Sequence, residues 1–76
     1  MRVPATLRAR VHLLVNGTAT EMPDALSARE LVERLELRGK RIALEVNGEI
    51  VPRSGYAQHR FKDGDRVEIV HAIGGG

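Results

Sequence analysis

Two Asn-Gly pairs, Asn16-Gly17 and Asn47-Gly48, punctuate this chain, and each is bracketed by short apolar runs. Asn-Gly is the strongest short-range hairpin signal, because both central residues of a type I′ turn need a positive φ. Val11-His12-Leu13-Leu14-Val15 leads into the first pair and Thr18-Ala19-Thr20-Glu21-Met22 returns from it. Val11, Leu13 and Val15 then share one face, with His12 opposite. Ile42-Ala43-Leu44-Glu45-Val46 leads into the second pair, Glu49-Ile50-Val51 returns, and Pro52 stops that strand. A turn at Asp63-Gly64-Asp65 precedes a last strand, Arg66-Val67-Glu68-Ile69-Val70. Its alternation sends Val67 and Ile69 to the core and Arg66, Glu68 and Val70 outward.

Between the hairpins lies one helix with a well-marked start. Pro23-Asp24-Ala25 breaks the strand, and Ser27 with Glu30 three residues later forms a capping box. Leu26 and Leu31 occupy the positions of a hydrophobic staple around that cap. Ala28, Leu31, Val32 and Leu35 make the apolar stripe, while Arg29, Glu33, Arg34 and Glu36 fall away from it. Gly39 is the expected stop of a helix of about ten residues. Arg38, Lys40 and Arg41 surround that end, where the helix dipole favours cations. Residues 53–62 are mixed, with Tyr56 and Phe61 as their aromatic residues. Hairpin, helix, hairpin and lone strand are most simply satisfied by a two-layer α+β domain, one helix laid across one face of a mixed sheet. Residues 1–8, with Pro4 among them, read as an irregular lead-in, residues 9–71 as the domain and residues 72–76 as a flexible tail.

Composition removes most chemistries. At 76 residues there is room for one thin core. With Cys at 0, disulfides, thiolate metal sites and cysteine nucleophiles are excluded. No apolar run approaches the roughly 18 residues of a membrane helix, and Met1–Arg8 lack the apolar core of a secretory signal, so a cytoplasmic location with no membrane partner is expected. The net charge of +2 is weakly basic, and Tyr56 and Phe61 as the sole aromatic residues offer no stacking platform, so nucleic acid is not an expected partner. His12, His59 and His71 lack metal-ligand spacing and read as surface or rim residues. Asp63 and Asp65 read as turn residues, since the fuller ligand series of a calcium loop is absent. Ser54 has no matching base, Ser27 is occupied as a cap, and no glycine-rich loop precedes a helix. No catalytic residue, no metal site and no cofactor bound by the chain are expected. Arg38-Gly39-Lys40-Arg41 reads either as an anion or partner site or as a solvated helix end. Arg2, Arg8 and Arg10 read as a contact for an acidic partner or as part of a frayed terminus.

The tail, Gly74-Gly75-Gly76, admits two readings. One is an inert end or the remnant of a linker. The other is functional: three residues without Cβ atoms extend through a passage too narrow for side chains. At its end stands a carboxylate, ionised at neutral pH with a pKa near 3.5. Such a group is a poor electrophile until it is converted to a mixed anhydride, for instance with AMP from ATP. A sulfur nucleophile then displaces AMP and leaves a thiocarboxylate on Gly76. On this reading Gly74 and Gly75 thread the passage, and Arg66, Glu68, Val70 and Ile73 form a docking face beside it.

Val46-Asn47-Gly48-Glu49-Ile50-Val51-Pro52-Arg53, Asp63-Gly64-Asp65-Arg66-Val67-Glu68-Ile69-Val70 and the closing Gly-Gly, in that order and spacing, resemble the bacterial sulfur carriers of thiamine biosynthesis, the ThiS family. The likeness covers about residues 9–76. It implies a β-grasp (ubiquitin-like) fold of about five strands, with the first and last strands parallel neighbours at the sheet centre. It also implies a carrier rather than an enzyme. A ubiquitin-activating-type adenylyltransferase (ThiF type) would use ATP and magnesium to adenylate Gly76, and a persulfide donor would supply sulfur. Thiazole synthase (ThiG type) would take that sulfur for the thiazole ring. The chain would be a monomer when free. Tyr56 stands where the family often has Trp. Related tails leave alternatives open: the small subunit of molybdopterin synthase, carriers for cysteine synthesis or tRNA thiolation, and a ubiquitin-like protein modifier. The Val51-Pro52-Arg53 segment favours the thiamine branch.

Overall fold

The computed structural model describes residues 10–71. β1 (Arg10–Val15) and β2 (Thr18–Pro23) form the first antiparallel hairpin, and β3 (Ile42–Val46) and β4 (Glu49–Val51) the second. β5 (Arg66–His71) enters the middle, giving the order β2-β1-β5-β3-β4. It lies parallel to β1 and antiparallel to β3. Both hairpin turns have the anticipated backbone, with φ of 50° and 83° at Asn16 and Gly17, and 53° and 86° at Asn47 and Gly48. β2 runs one residue past Met22, because Pro23 pairs opposite Arg10 on an edge strand, where a missing N–H is tolerated.

α1 (Ala28–Arg34) packs across one face. Its start is fully provided with partners. The Ser27 hydroxyl accepts from the Glu30 N–H (3.1 Å), and the Glu30 carboxylate accepts from the Ser27 N–H (2.9 Å). The next two free donors, the N–H groups of Ala28 and Arg29, reach the carbonyls of His59 (3.0 Å) and Tyr56 (3.2 Å). The 52–65 connection is thereby fastened to the helix, and Tyr56 and Phe61 are delivered to the core. A 3-10 turn, Arg53–Gly55, begins that connection. The core joins Val11, Leu13, Leu44, Val46, Val67 and Ile69 from the sheet to Ala28, Leu31 and Val32 from the helix.

The helix ends earlier than Gly39. The N–H groups of Glu36 and Leu37 bond to the carbonyls of Glu33 (3.0 Å) and Val32 (2.9 Å), the paired bonds of a Schellman motif. Glu36 holds the left-handed position at φ 59°, where glycine is usual. The physical reason lies in Leu37. Continued helix would turn it about 240° from Leu31, into solvent. Unwinding at Glu36 instead leaves Leu37 partly buried against the core. Gly39 (φ 80°) serves the following turn, in which the Lys40 N–H bonds to the Leu37 carbonyl (3.0 Å). Arg34, rather than Arg38 or Lys40, is the cation of the last helical turn. Glu36→Gly removes the left-handed strain and is expected to stabilise the domain by about 0.5–1 kcal/mol, read as a higher urea midpoint at unchanged m.

Asp63 and Asp65 do more than turn the chain. The Asp63 carboxylate accepts from the His12 N–H (2.7 Å) and lies 3.4 Å from the His12 ring, whose other nitrogen is 3.0 Å from Glu21. The backbone bond from His12 lowers the Asp63 pKa, as the Ser27 backbone bond lowers that of Glu30. Both carboxyls titrate lower when folded, so their contribution is present above the unfolded pKa and lost as pH falls through the folded values. Thermal midpoints should decline below about pH 4. The decline should be shallower in Asp63→Ala, measured by circular dichroism.

Candidate functional site

β5 is the strand that immediately precedes residues 72–76 in the sequence, so its surroundings fix where the described chain ends. On one side it pairs with β3 over Val67–His71, from Val46↔Val67 to Ile42↔His71. On the other, β1 reaches only Val15↔Val67. There the side chain of Asn16 takes over: its Oδ1 accepts from the Ile69 N–H (2.7 Å) and its Nδ2 donates to the Ile69 carbonyl (3.3 Å). Asn47 holds the opposite end of β5. Its N–H donates to the Arg66 carbonyl (2.8 Å), its Oδ1 accepts from the Arg66 N–H (2.9 Å), and its Nδ2 donates to Asp65 (3.0 Å). The two turn asparagines therefore grip the central strand from both flanks, a role that Asn-Gly turn chemistry alone does not announce.

The sheet face away from α1 is the second element. Arg66, Glu68 and Val70 all lie on it and are exposed. Among the described residues, Leu14 (41% exposed), Ile50 (61%) and Val70 (55%) are the large exposed hydrophobic side chains, and all three fall on this face. The pairings Leu14↔Arg66, Ala43↔Val70 and Glu45↔Ile50 place them there, because directly opposed residues point the same way. Leu14 and Ile50 were not singled out from sequence. The signal was present, since Leu14 interrupts the alternation of Leu13 and Val15, and Ile50 stands opposite the outward Glu45. Glu45 also faces Glu68 across the β3–β5 ladder, a like-charge pair that disfavours the sheet unless something outside compensates it. A depression of about 610 Å³ opens between the hairpin turns, with Leu14, Asn47, Arg66 and Glu68 in its lining.

Ile73, Gly74, Gly75 and Gly76, and the lead-in of residues 1–8, lie outside the described residues. The histidines do not converge: His12 sits between two carboxylates, His59 stacks edge-on to Phe61 with centroids 5.0 Å apart, and His71 is exposed at the end of β5. Among the described residues no group of three or more His, Cys, Asp or Glu side chains has metal-binding geometry. No helix among them is long and apolar enough to cross a membrane.

Comparison with known proteins supplies the family. The family description that matches, over residues 1–76, is "ThiS family". The chain belongs to the ThiS family. It is 36% identical over 66 residues to the sulfur carrier protein ThiS of Escherichia coli K12, covering 87% of this chain and 100% of that relative. It is also 41% identical over 64 residues to a thiazole synthase of Paramagnetospirillum magneticum, 84% of this chain but only 20% of that protein, so the chain spans about a fifth of that relative's length. The crystal structure of a ThiS thiamine biosynthesis protein from Geobacter metallireducens superimposes with a TM-score of 0.76 at 32% identity, covering 87% of this chain and 100% of that one. The five-stranded mixed sheet with its single crossing helix is thus the β-grasp fold of a ThiS protein.

Proposed function

We propose that this chain is a sulfur carrier of thiamine biosynthesis whose cargo site is the carboxylate of Gly76. The observation that carries the reading is membership of the ThiS family along the whole sequence, with 36% identity to a sulfur carrier covered from end to end. The chain's chemistry agrees with it. With no cysteine in the sequence, sulfur has no thiol of this protein to ride on, whereas an acyl carbon at Gly76 accepts it directly.

In this reading a partner adenylyltransferase joins the Gly76 carboxylate to AMP from ATP, releasing pyrophosphate. The terminal sulfur of a persulfide attacks the acyl carbon and AMP leaves. A thiol then reduces the resulting S–S bond, leaving a thiocarboxylate. Thiazole synthase is the recipient of that sulfur. A thiazole synthase that contains, in a fifth of its own length, a region similar to this chain favours this pairing. These reactions belong in the cytoplasm. ATP and magnesium are the partner enzyme's reagents. Gly74 and Gly75 thread its passage, while Arg66, Glu68, Val70 and Ile73 dock on it, with Leu14 extending the apolar part of the surface.

Intact mass spectrometry after incubation with the adenylyltransferase, ATP and a persulfide donor tests the assignment. One oxygen replaced by sulfur at the C-terminus is the expected product, and an unchanged carboxylate would sink the proposal. For the docking face, Val70→Asp should weaken binding to the adenylyltransferase about tenfold or more by calorimetry, as losses at central interface residues do. Because Val70 is exposed, the melting curve should stay in place.

A further inference from the structure

A second concavity lies on the helix side of the sheet, where the sulfur-carrier reading assigns no role. After α1 ends, the chain turns back through Leu37–Ile42 into β3, and the 3-10 turn Arg53–Gly55 approaches from the other side. Between them is a cleft of about 330 Å³. Val32, Leu37 and Ile42 give it an apolar lining, and four cations, Arg29, Arg38, Lys40 and Arg53, stand around it. Arg29 is already paired with Glu33 at 3.6 Å. Arg38, Lys40 and Arg53 have no carboxylate partner among the described residues. All three are exposed, whereas Leu37 and Ile42 are half-buried, so charge rims the cleft and aliphatic surface lies within it.

Location adds to composition. Ile42 stands opposite His71 in the β3–β5 ladder, so the cleft opens beside the point where β5 gives way to the tail. It does so on the opposite side of the sheet from Val70. A protein that reaches the tail comes within range of this cleft without covering the outer face.

We propose that this cleft docks an acidic segment of a protein partner, one large apolar side chain entering between Leu37 and Ile42 while flanking Asp or Glu residues meet Arg38, Lys40 and Arg53. The volume is at the small end of ligand cavities and suits one such side chain. Three unpaired cations around it favour carboxylates by charge complementarity. Nucleic acid is the poorer match, because the large aromatic rings that would stack on bases, Tyr56 and Phe61, are both buried. For a carrier that visits successive enzymes, such a site lets one partner hold the helix side while another engages the outer face.

The test uses the full chain and a fluorescein-labelled synthetic peptide with one Leu flanked on each side by Asp and Glu. Binding should be saturable by fluorescence anisotropy and should weaken steeply with added salt. It should shift amide resonances within 37–42 and 53–57 while leaving Glu68 and Val70 still. Arg38→Glu with Arg53→Glu should weaken it about tenfold or more. Arg38→Gln with Arg53→Gln gives a smaller loss in the same direction, so a folding defect in the charge-reversed protein does not decide the matter. Val70→Asp should leave peptide affinity unchanged, which separates this site from the outer-face docking. Equal binding of a peptide with Lys in place of the acids overturns the proposal, as does displacement by inorganic phosphate or a single-stranded oligonucleotide. Much tighter peptide binding after removal of residues 72–76 would make the cleft the seat of the chain's own tail, and would overturn it too.

Discussion

Removal of Gly76 alone is expected to abolish sulfur loading while leaving the fold untouched. The sequence makes this an unusually clean test, because deletion from Gly74-Gly75-Gly76 leaves a terminus that is still Gly-Gly. The acyl chemistry of the new end is identical, and what changes is reach, by about 3.3–3.6 Å for one extended residue. Reactive groups misplaced by about 1 Å can already lose 100-fold in rate, so a shift of this size should bring adenylation below about 1% of the parent. Pyrophosphate release measures the first step and intact mass the last. One extra residue beyond Gly76 should fail in the same way. Undiminished sulfur transfer in the shortened chain would mean that the tail's length is not read, and the assignment of the cargo site to Gly76 in particular would fall. The thermal transition of either variant should coincide with that of the parent, since residues 10–71 supply the packed core.

Leu31→Ala is the second large effect, here on stability. Leu31 is fully buried in the middle of α1, facing the sheet. Truncating such a leucine costs about 2–5 kcal/mol, the lost transfer energy plus the cavity left behind. A core this small rarely supplies more than about 3–5 kcal/mol of net stability. The variant should therefore melt at least about 10 °C lower, or be substantially unfolded at room temperature. Circular dichroism melts check this directly. A shift of only a few degrees would mean that the loop carrying Tyr56 and Phe61 collapses into the space. Leu31→Met, which keeps volume, should stay within about 1.5 kcal/mol of the parent.

Local chemistry explains why so much of this fold was legible. The hairpins were readable because only a few residues accept a positive φ, and Asn-Gly occurs twice. The helix start was readable because Ser27 and Glu30 satisfy each other over three residues. The helix end was not, because what stops it is the burial of Leu37, which depends on distant residues, and the chain accepts a left-handed Glu36 to achieve it. Ala25, at φ 61°, is a similar surprise. The segment 53–62 reads only as mixed because its local turns, such as Arg53–Gly55, are short, and its position is fixed from outside through the helix N–H groups bound to Tyr56 and His59. The site divides likewise. The outward set of Arg66, Glu68 and Val70 follows from strand parity, and the tail is plain in the sequence. The cleft is assembled from three segments that meet only in the folded chain, so from sequence the Arg38-Gly39-Lys40-Arg41 run reads more readily as a solvated helix end than as a partner site.

The double grip on β5 has a mechanical consequence. A pull applied at His71, the last described residue of β5, along the strand axis would load the central strand of the sheet. The hydrogen bonds to β1, β3, Asn16 and Asn47 lie across that direction, so they bear the load together, in shear, instead of opening one at a time like a zipper. A sheet held this way resists unfolding from the end of β5, because no single bond can open before its neighbours share the strain.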